Sequence, residues 1–152
     1  MTNIGLGKRL RLAHIAFSRA MRIELGSIGF SFGQFVHLER LWEEDGLTQV
    51  ELSRRVGVEM ASSTAVLGEL AHLKLIERVR SETDRRKINI FLTDKGRRAR
   101  APLIGAVRRA NKIASAGIDS KQIRALFSQL DAVANSLNAK YQVPKTLYEK
   151  EG

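Results

Sequence analysis

Five basic side chains, Arg78, Arg80, Arg85, Arg86 and Lys87, crowd into ten residues, with Asp84 two positions before Arg86. Cations at that density suit a polyanion, and a nucleic-acid backbone rewards many such contacts at once. The alternative use of the same residues is a solvated charged turn. The segment just upstream is different. From Gly57 to Leu73 it has no Lys or Arg, and it offers Met60, Ala61, Ser62, Thr64 and Ala65. Hydroxyls and small apolar groups can meet base edges and thymine methyl groups, but they cannot make an arginine fork to guanine. Thr48, Arg54 and Arg55 complete the candidate set. Thr48 can cap a helix and leave that helix's first N–H groups near a phosphate, although capping alone would also explain it. Arg54 and Arg55, with Arg97 and Arg98 further on, are better placed for phosphates or as surface charge than for bases.

Other chemistries find little support. The chain has no cysteine, which removes disulfides, thiolate metal sites and thiol-based redox sensing. His14, His37 and His72 are scattered and lack the close ligand spacing of a zinc site. No glycine-rich phosphate loop and no nucleophile with an adjacent base can be found. The expectation is a protein that is not an enzyme and has neither metal nor cofactor. No apolar run reaches the roughly 18 residues of a membrane span, and the first residues lack an apolar signal-peptide core. A cytoplasmic location away from membranes is therefore expected. The formal net charge is +10 over 152 residues, unevenly spread. Residues 76–100 hold nine basic against four acidic side chains, whereas residues 31–75 hold four against seven. The positive charge is thus concentrated on the basic turn and the residues just after it.

These residues need elements to position them. Leu6, Leu10, Ala13, Phe17, Met21 and Leu25 step by three and four and predict a first helix over 6–26. Ser31 before Gln34, Thr48 before Glu51 and Asp119 before Gln122 have the spacing of capping boxes, so helices should start there. The helix after Thr48 is short and ends at Gly57. The next one should bury 63, 66, 67, 70 and 73, which turns Met60, Ala61, Thr64, Ala65 and Gly68 outward with Ser62 beside them. Ile88, Ile90 and Leu92 alternate as in a strand, and Ile76 to Arg80 can pair with it around a turn at 81–86. A long helix is expected from Thr93 to about Ala116, distorted at Pro102. A last helix follows Gly117 and stops at Pro144. Two short helices joined at a glycine and followed by a basic hairpin have the layout of a winged helix-turn-helix. The fold class is therefore mainly α with a small β-hairpin wing.

The arrangement resembles the MarR family, named for the multiple-antibiotic-resistance regulator. The resemblance rests on Leu47-Thr48 with Glu51-Leu52, Gly57, Leu70, Leu75-Ile76-Glu77-Arg78, and Asp84-Arg85-Arg86 leading to Leu92-Thr93 and Gly96. It covers nearly the whole chain. It implies a single domain over 1–152, with a DNA-binding part at 31–92 and dimerisation helices at 1–30 and 93–143. It also implies that Asp84 orients Arg86 toward a minor groove, where narrow A/T tracts attract arginine. One departure stands out. Family members often carry a lysine where this chain has Met60 and an arginine where it has Ala65. Readout would then lean on Ser62, Thr64, Ala61 and DNA shape.

The resemblance further implies an intertwined homodimer on a near-palindromic duplex, and a repressor released by a small aromatic or phenolic ligand. The wide apolar faces of the first and last helices agree with a dimer, although they could instead close an intramolecular bundle. His14, Phe17, Arg19, Phe35, His37 and Trp42 are candidates to touch such an effector. Core packing would account equally well for the aromatic residues and the histidines. The competing functional reading is a winged-helix module that binds protein without sequence-specific DNA readout.

Overall fold

A computed structural model describes residues 5–141. In chain order it contains α1 (Leu6–Gly26), α2 (Phe32–Glu43), α3 (Gln49–Val56), α4 (Met60–His72), β1 (Ile76–Arg80), β2 (Ile88–Leu92), α5 (Asp94–Arg98), α6 (Arg100–Ala114) and α7 (Ser120–Tyr141). The expected stop at Pro144 lies outside the described residues. Mostly helical with one antiparallel hairpin, the chain has the anticipated fold class.

The capping boxes form as their spacing requires. Ser31 Oγ accepts from the Gln34 N–H and Gln34 Oε1 accepts from the Ser31 N–H. Thr48 and Glu51 make the same exchange at α3, and Asp119 and Gln122 make it before α7. Gly57 ends α3 at φ 80°, a left-handed conformation that glycine adopts without a Cβ clash. This lets α4 start after only Val58 and Glu59.

The core lies where α1, α2, α3, α4, α6 and the hairpin converge. Leu25, Leu38, Leu52, Leu67, Leu70, Ile90 and Leu103 are all fully buried there. Strand β1 pairs with β2 in the register Ile76 to Leu92 and Arg80 to Ile88. A third short segment joins on the other side of β2. The Gly46 N–H donates to the Ile90 carbonyl and the Ile90 N–H donates to the Leu47 carbonyl, both within 3.0 Å.

Two expectations are corrected. The helix after Thr93 is not continuous, because it breaks at Ala99 into α5 and α6. Pro102 has no N–H for the carbonyl of Arg98, four residues back, and its ring crowds that carbonyl. The break falls there, and Pro102 ends up in the first turn of α6, where no N–H is needed. Leu73, expected inward, is 37% exposed because α4 ends at His72 and the chain turns away through Lys74 at φ 60°. The buried stripe is Ser63, Leu67 and Leu70, with Val66 half-buried.

Helix α7 buries none of its residues within the chain. Leu126, Phe127, Leu130 and Leu137 are all at least 40% exposed along it. Among the described residues, no helix is long and apolar enough to cross a membrane.

Candidate nucleic-acid interface

The surface built by α3, α4 and the hairpin starts at Thr48. Its hydroxyl accepts from the Glu51 N–H, and its own N–H and hydroxyl both donate to Glu51 Oε2. Those bonds hold the Glu51 carboxyl below its usual range, with the Thr48 N–H as the main cause. The capping carboxylate therefore takes one orphan donor. The Val50 N–H keeps no partner among the described residues, while the bridge that pairs Thr48 with Asn89 turns the Gln49 N–H toward the Ile88 carbonyl. Gln49 and Val50 line an open cleft of about 340 Å³ together with Thr48, Glu51, Met60, Arg86, Lys87 and Ile88. A helix N-terminus facing two cations is suited to a phosphate group.

On α4, Met60, Ala61, Ser62, Thr64 and Ala65 are exposed, as the periodicity requires. Thr64 is more engaged than its sequence suggests. Its hydroxyl donates to the Met60 carbonyl at 2.8 Å and accepts from Gln49 Nε2 at 2.8 Å. The hydroxyl proton is thus already used, so toward a base Thr64 offers one acceptor lone pair and a methyl group. Gln49 was missing from the sequence-derived set. Only its place in the first turn after Thr48 pointed to it, and its contact with Thr64 spans fifteen residues.

The hairpin tip is ordered by its own charges. Asp84 accepts from the Arg86 N–H at 3.1 Å, from Nε at 3.0 Å and from Nη2 at 3.2 Å. These bonds hold the Asp84 carboxyl below its usual range. They also aim an arginine whose side chain is 91% exposed. Arg80 Nη1 donates to the Arg85 carbonyl at 2.7 Å, so Arg80 braces the tip while Arg85 and Lys87 face solvent. Arg55 pairs with Glu44 beside α3, whereas Arg54 is exposed with no carboxylate partner among the described residues.

Asp45 joins hairpin to helices and was overlooked as a site-building residue. Its Oδ1 accepts from the Leu92 N–H at 2.8 Å and from the Gly46 N–H at 3.0 Å, while Oδ2 accepts from Arg97 at 3.0 Å. Acidic residues near a helix end look alike in sequence, and only the fold brings β2 and α5 to this one.

The effector candidates do not share one setting. His14 and Arg19 are exposed on α1, Phe17 and Trp42 are half-buried, and Phe35 and His37 are buried. Phe35 and Trp42 pack with ring centroids 6.3 Å apart, and Trp42 Nε1 donates to the Gly96 carbonyl. His37 Nδ1 lies 2.7 Å from the Gly33 carbonyl and must carry the proton. Nε2 therefore accepts from Ser63 Oγ at 3.0 Å. Nδ1 thus bonds within α2, and Nε2 joins α2 to α4. Burial lowers the pKa of this histidine, partly opposed by the Gly33 bond. Among the described residues there is no group of three His, Asp or Glu side chains placed to hold a metal ion.

Comparison with known proteins agrees with this geometry. The MarR family profile matches residues 30–88, which spans α2 through the start of β2. The HTH-type transcriptional regulator TtmR of Methylorubrum extorquens is 30% identical over 125 residues, which cover 82% of this chain. The chain spans 63% of that relative's length. A MarR transcriptional regulator from Methanosarcina mazei superposes with a TM-score of 0.80 at 25% identity, over 88% of this chain and 97% of the other. A mutant MarR from E. coli, solved in complex with operator DNA, shares the fold at a TM-score of 0.78 and 21% identity, over 86% and 94% of the two chains. The same order of helices and wing thus recurs in proteins that the sequence also matches, and this chain belongs to the MarR family.

Proposed function

We propose that the protein is a sequence-specific DNA-binding transcriptional regulator, acting as a homodimeric repressor that a small aromatic or phenolic ligand releases. The observation that carries the DNA-binding reading is the single surface shared by three elements. The N-terminal residues of α3, Met60 at the start of α4 and an arginine aimed by Asp84 all border one open cleft, and the exposed face of α4 continues from Met60. Phosphates would sit at the α3 N-terminus and along Arg54, Arg85 and Lys87. Helix α4 would enter the major groove and Arg86 the adjacent minor groove.

Dimerisation draws support from α7. A 22-residue helix that buries nothing within its own chain needs a partner to cover Phe127, Leu130 and Leu137. A two-fold dimer would place two α4 helices about one helical turn of DNA apart. Ligand release draws support from the α2–α5 junction, where Trp42 touches both the core and α5. Trp42 is the only tryptophan in the sequence, so its fluorescence reports on that junction directly.

The experiment is a gel-shift titration against DNA flanking the protein's own gene, at two salt concentrations with scrambled competitor. Salt-sensitive binding to one fragment over its scrambled counterpart is expected. Aromatic acids would then be screened for loss of that shift together with a change in Trp42 emission. Equal weak binding to every fragment would instead favour a protein-interaction module, a reading that the cation-free α4 supports.

A further inference from the structure

Helix α4 presents an electrostatic difficulty. With its N-cap it carries Glu59 and Glu69 and no Lys or Arg, yet it would enter a groove walled by phosphates. A cation from another element lies against it. Arg78 on β1 reaches across to α4, and its Nη2 donates to the Thr64 carbonyl at 3.2 Å. Gly68, one turn further along α4, lies beside the same guanidinium, where a Cβ would sit in ordinary van der Waals contact at 3.8 Å from Nη2. Thr64 holds Gln49 on its other side, so wing, recognition helix and α3 form one continuous polar face.

The rest of the guanidinium is unspent. One of its five N–H donors goes to Thr64, and Arg78 has no ion-pair partner among the described residues. Glu69, the acid on α4 one residue past Gly68, is engaged elsewhere by Gln34 Nε2 at 3.0 Å. Arg78 is exposed, and so are its neighbours Thr64 and Ala65. A guanidinium docked on a helix carbonyl and left with free donors is already ordered for an anion.

We infer that Arg78 contacts a DNA phosphate, held against the recognition helix by the Thr64 carbonyl, and supplies the positive charge that α4 lacks. The inference rests on the DNA-binding reading above. A phosphate contact differs from a base contact and from a structural tether in its salt signature.

The test compares wild type, Arg78→Gln and Arg78→Lys on a preferred and a scrambled duplex over a salt series. Thermal melting of each variant checks its fold. Arg78→Gln should weaken both duplexes by a similar factor, about fivefold or more, and flatten the plot of log K against log salt by about 0.9 for each phosphate no longer neutralised. Arg78→Lys, which keeps the charge, should retain the slope. An unchanged slope in folded Arg78→Gln would reduce Arg78 to a tether between wing and helix, and loss confined to the preferred duplex would make it a base reader. Either result overturns the inference. Should the Gln variant not fold, Arg78→Met keeps the apolar stem without charge and is read in the same way. A wild type that binds both duplexes equally removes the regulator reading while the slope still decides about Arg78. A wild type that binds neither removes both.

Discussion

Asp84 shows how one short side chain can set the use of a longer one. Its carboxylate spends its acceptors on Arg86, two residues away, and so fixes a guanidinium that solvent would otherwise leave free. Replacing Asp84 with Ala removes a negative charge from a DNA-facing turn, which by itself favours any duplex. It also frees the arginine, and ordering such a side chain costs about 1 kcal/mol on binding. The expected outcome in competition titrations is a drop of roughly fivefold in preferred over scrambled DNA, with scrambled binding unchanged or tighter. His37 supports a second residue-scale prediction. Its folded pKa is lowered by burial from the ordinary 6.5, so the neutral ring is the native form. The stability this contributes is complete above that ordinary value and is lost as pH falls below it toward the folded value. Urea midpoints should therefore fall between pH ~7 and ~5, and His37→Gln should flatten that part of the profile while lowering stability overall. The Asp84–Arg86 pair was legible in the sequence because it is local. The His37–Ser63 and Arg78–Thr64 contacts were not, since 26 and 14 residues separate their partners.

Elements start and stop where local chemistry directs them. Removing the Thr48 cap by Thr48→Ala should cost about 1 kcal/mol in thermal or urea unfolding, the usual value for such a cap. It should also weaken DNA binding, because the α3 N-terminus then lacks its fixed geometry. Gly96 marks a closer constraint. A Cβ there would stand 2.1 Å from the Leu75 carbonyl oxygen, with the Leu92 side chain at 3.2 Å. The nearest obstacle is backbone that cannot swing aside, so Gly96→Ala should destabilise by about 2 kcal/mol or more, measurable as a lowered melting temperature. The glycine itself was noted in the sequence as part of the family resemblance. Its reason, the close packing of α5 on the backbone just before β1, comes from the tertiary fold. Pro102 shows the converse. Its effect was readable in advance, but the break lies at Ala99, because a proline disturbs the turn that precedes it rather than its own position.

At the scale of the whole molecule, α7 is the least self-sufficient part. Its apolar side chains point to solvent in the single chain, and α1 adds Leu12 and Ile15 at 50% and 44% exposure. Phe127→Glu should shift the protein from dimer to monomer in sedimentation experiments. It should also weaken binding to a palindromic operator more than to a half-site, since the linkage between two half-sites is lost. The winged domain should keep its helical signal, because its core residues lie on other elements.

Much of this architecture is written locally. Capping pairs at 31–34, 48–51 and 119–122, glycines at 57 and 117, and the alternation at 88–92 each act over a few residues, so periodicity and turn chemistry alone place the helices and the hairpin. The basic character of the wing is equally visible, because charge density needs no fold to be counted. Tertiary structure decided which of those charges remain free. Arg55 and Arg97 are paired to acids just after α2, Arg80 braces the tip, and Arg86 and Arg78 stay open to a ligand. It also made His37 a buried link between α2 and α4. The physical reason is common to all these cases. A side chain's periodicity is set by its own element, whereas its hydrogen-bond partners come from whichever element the core packs beside it.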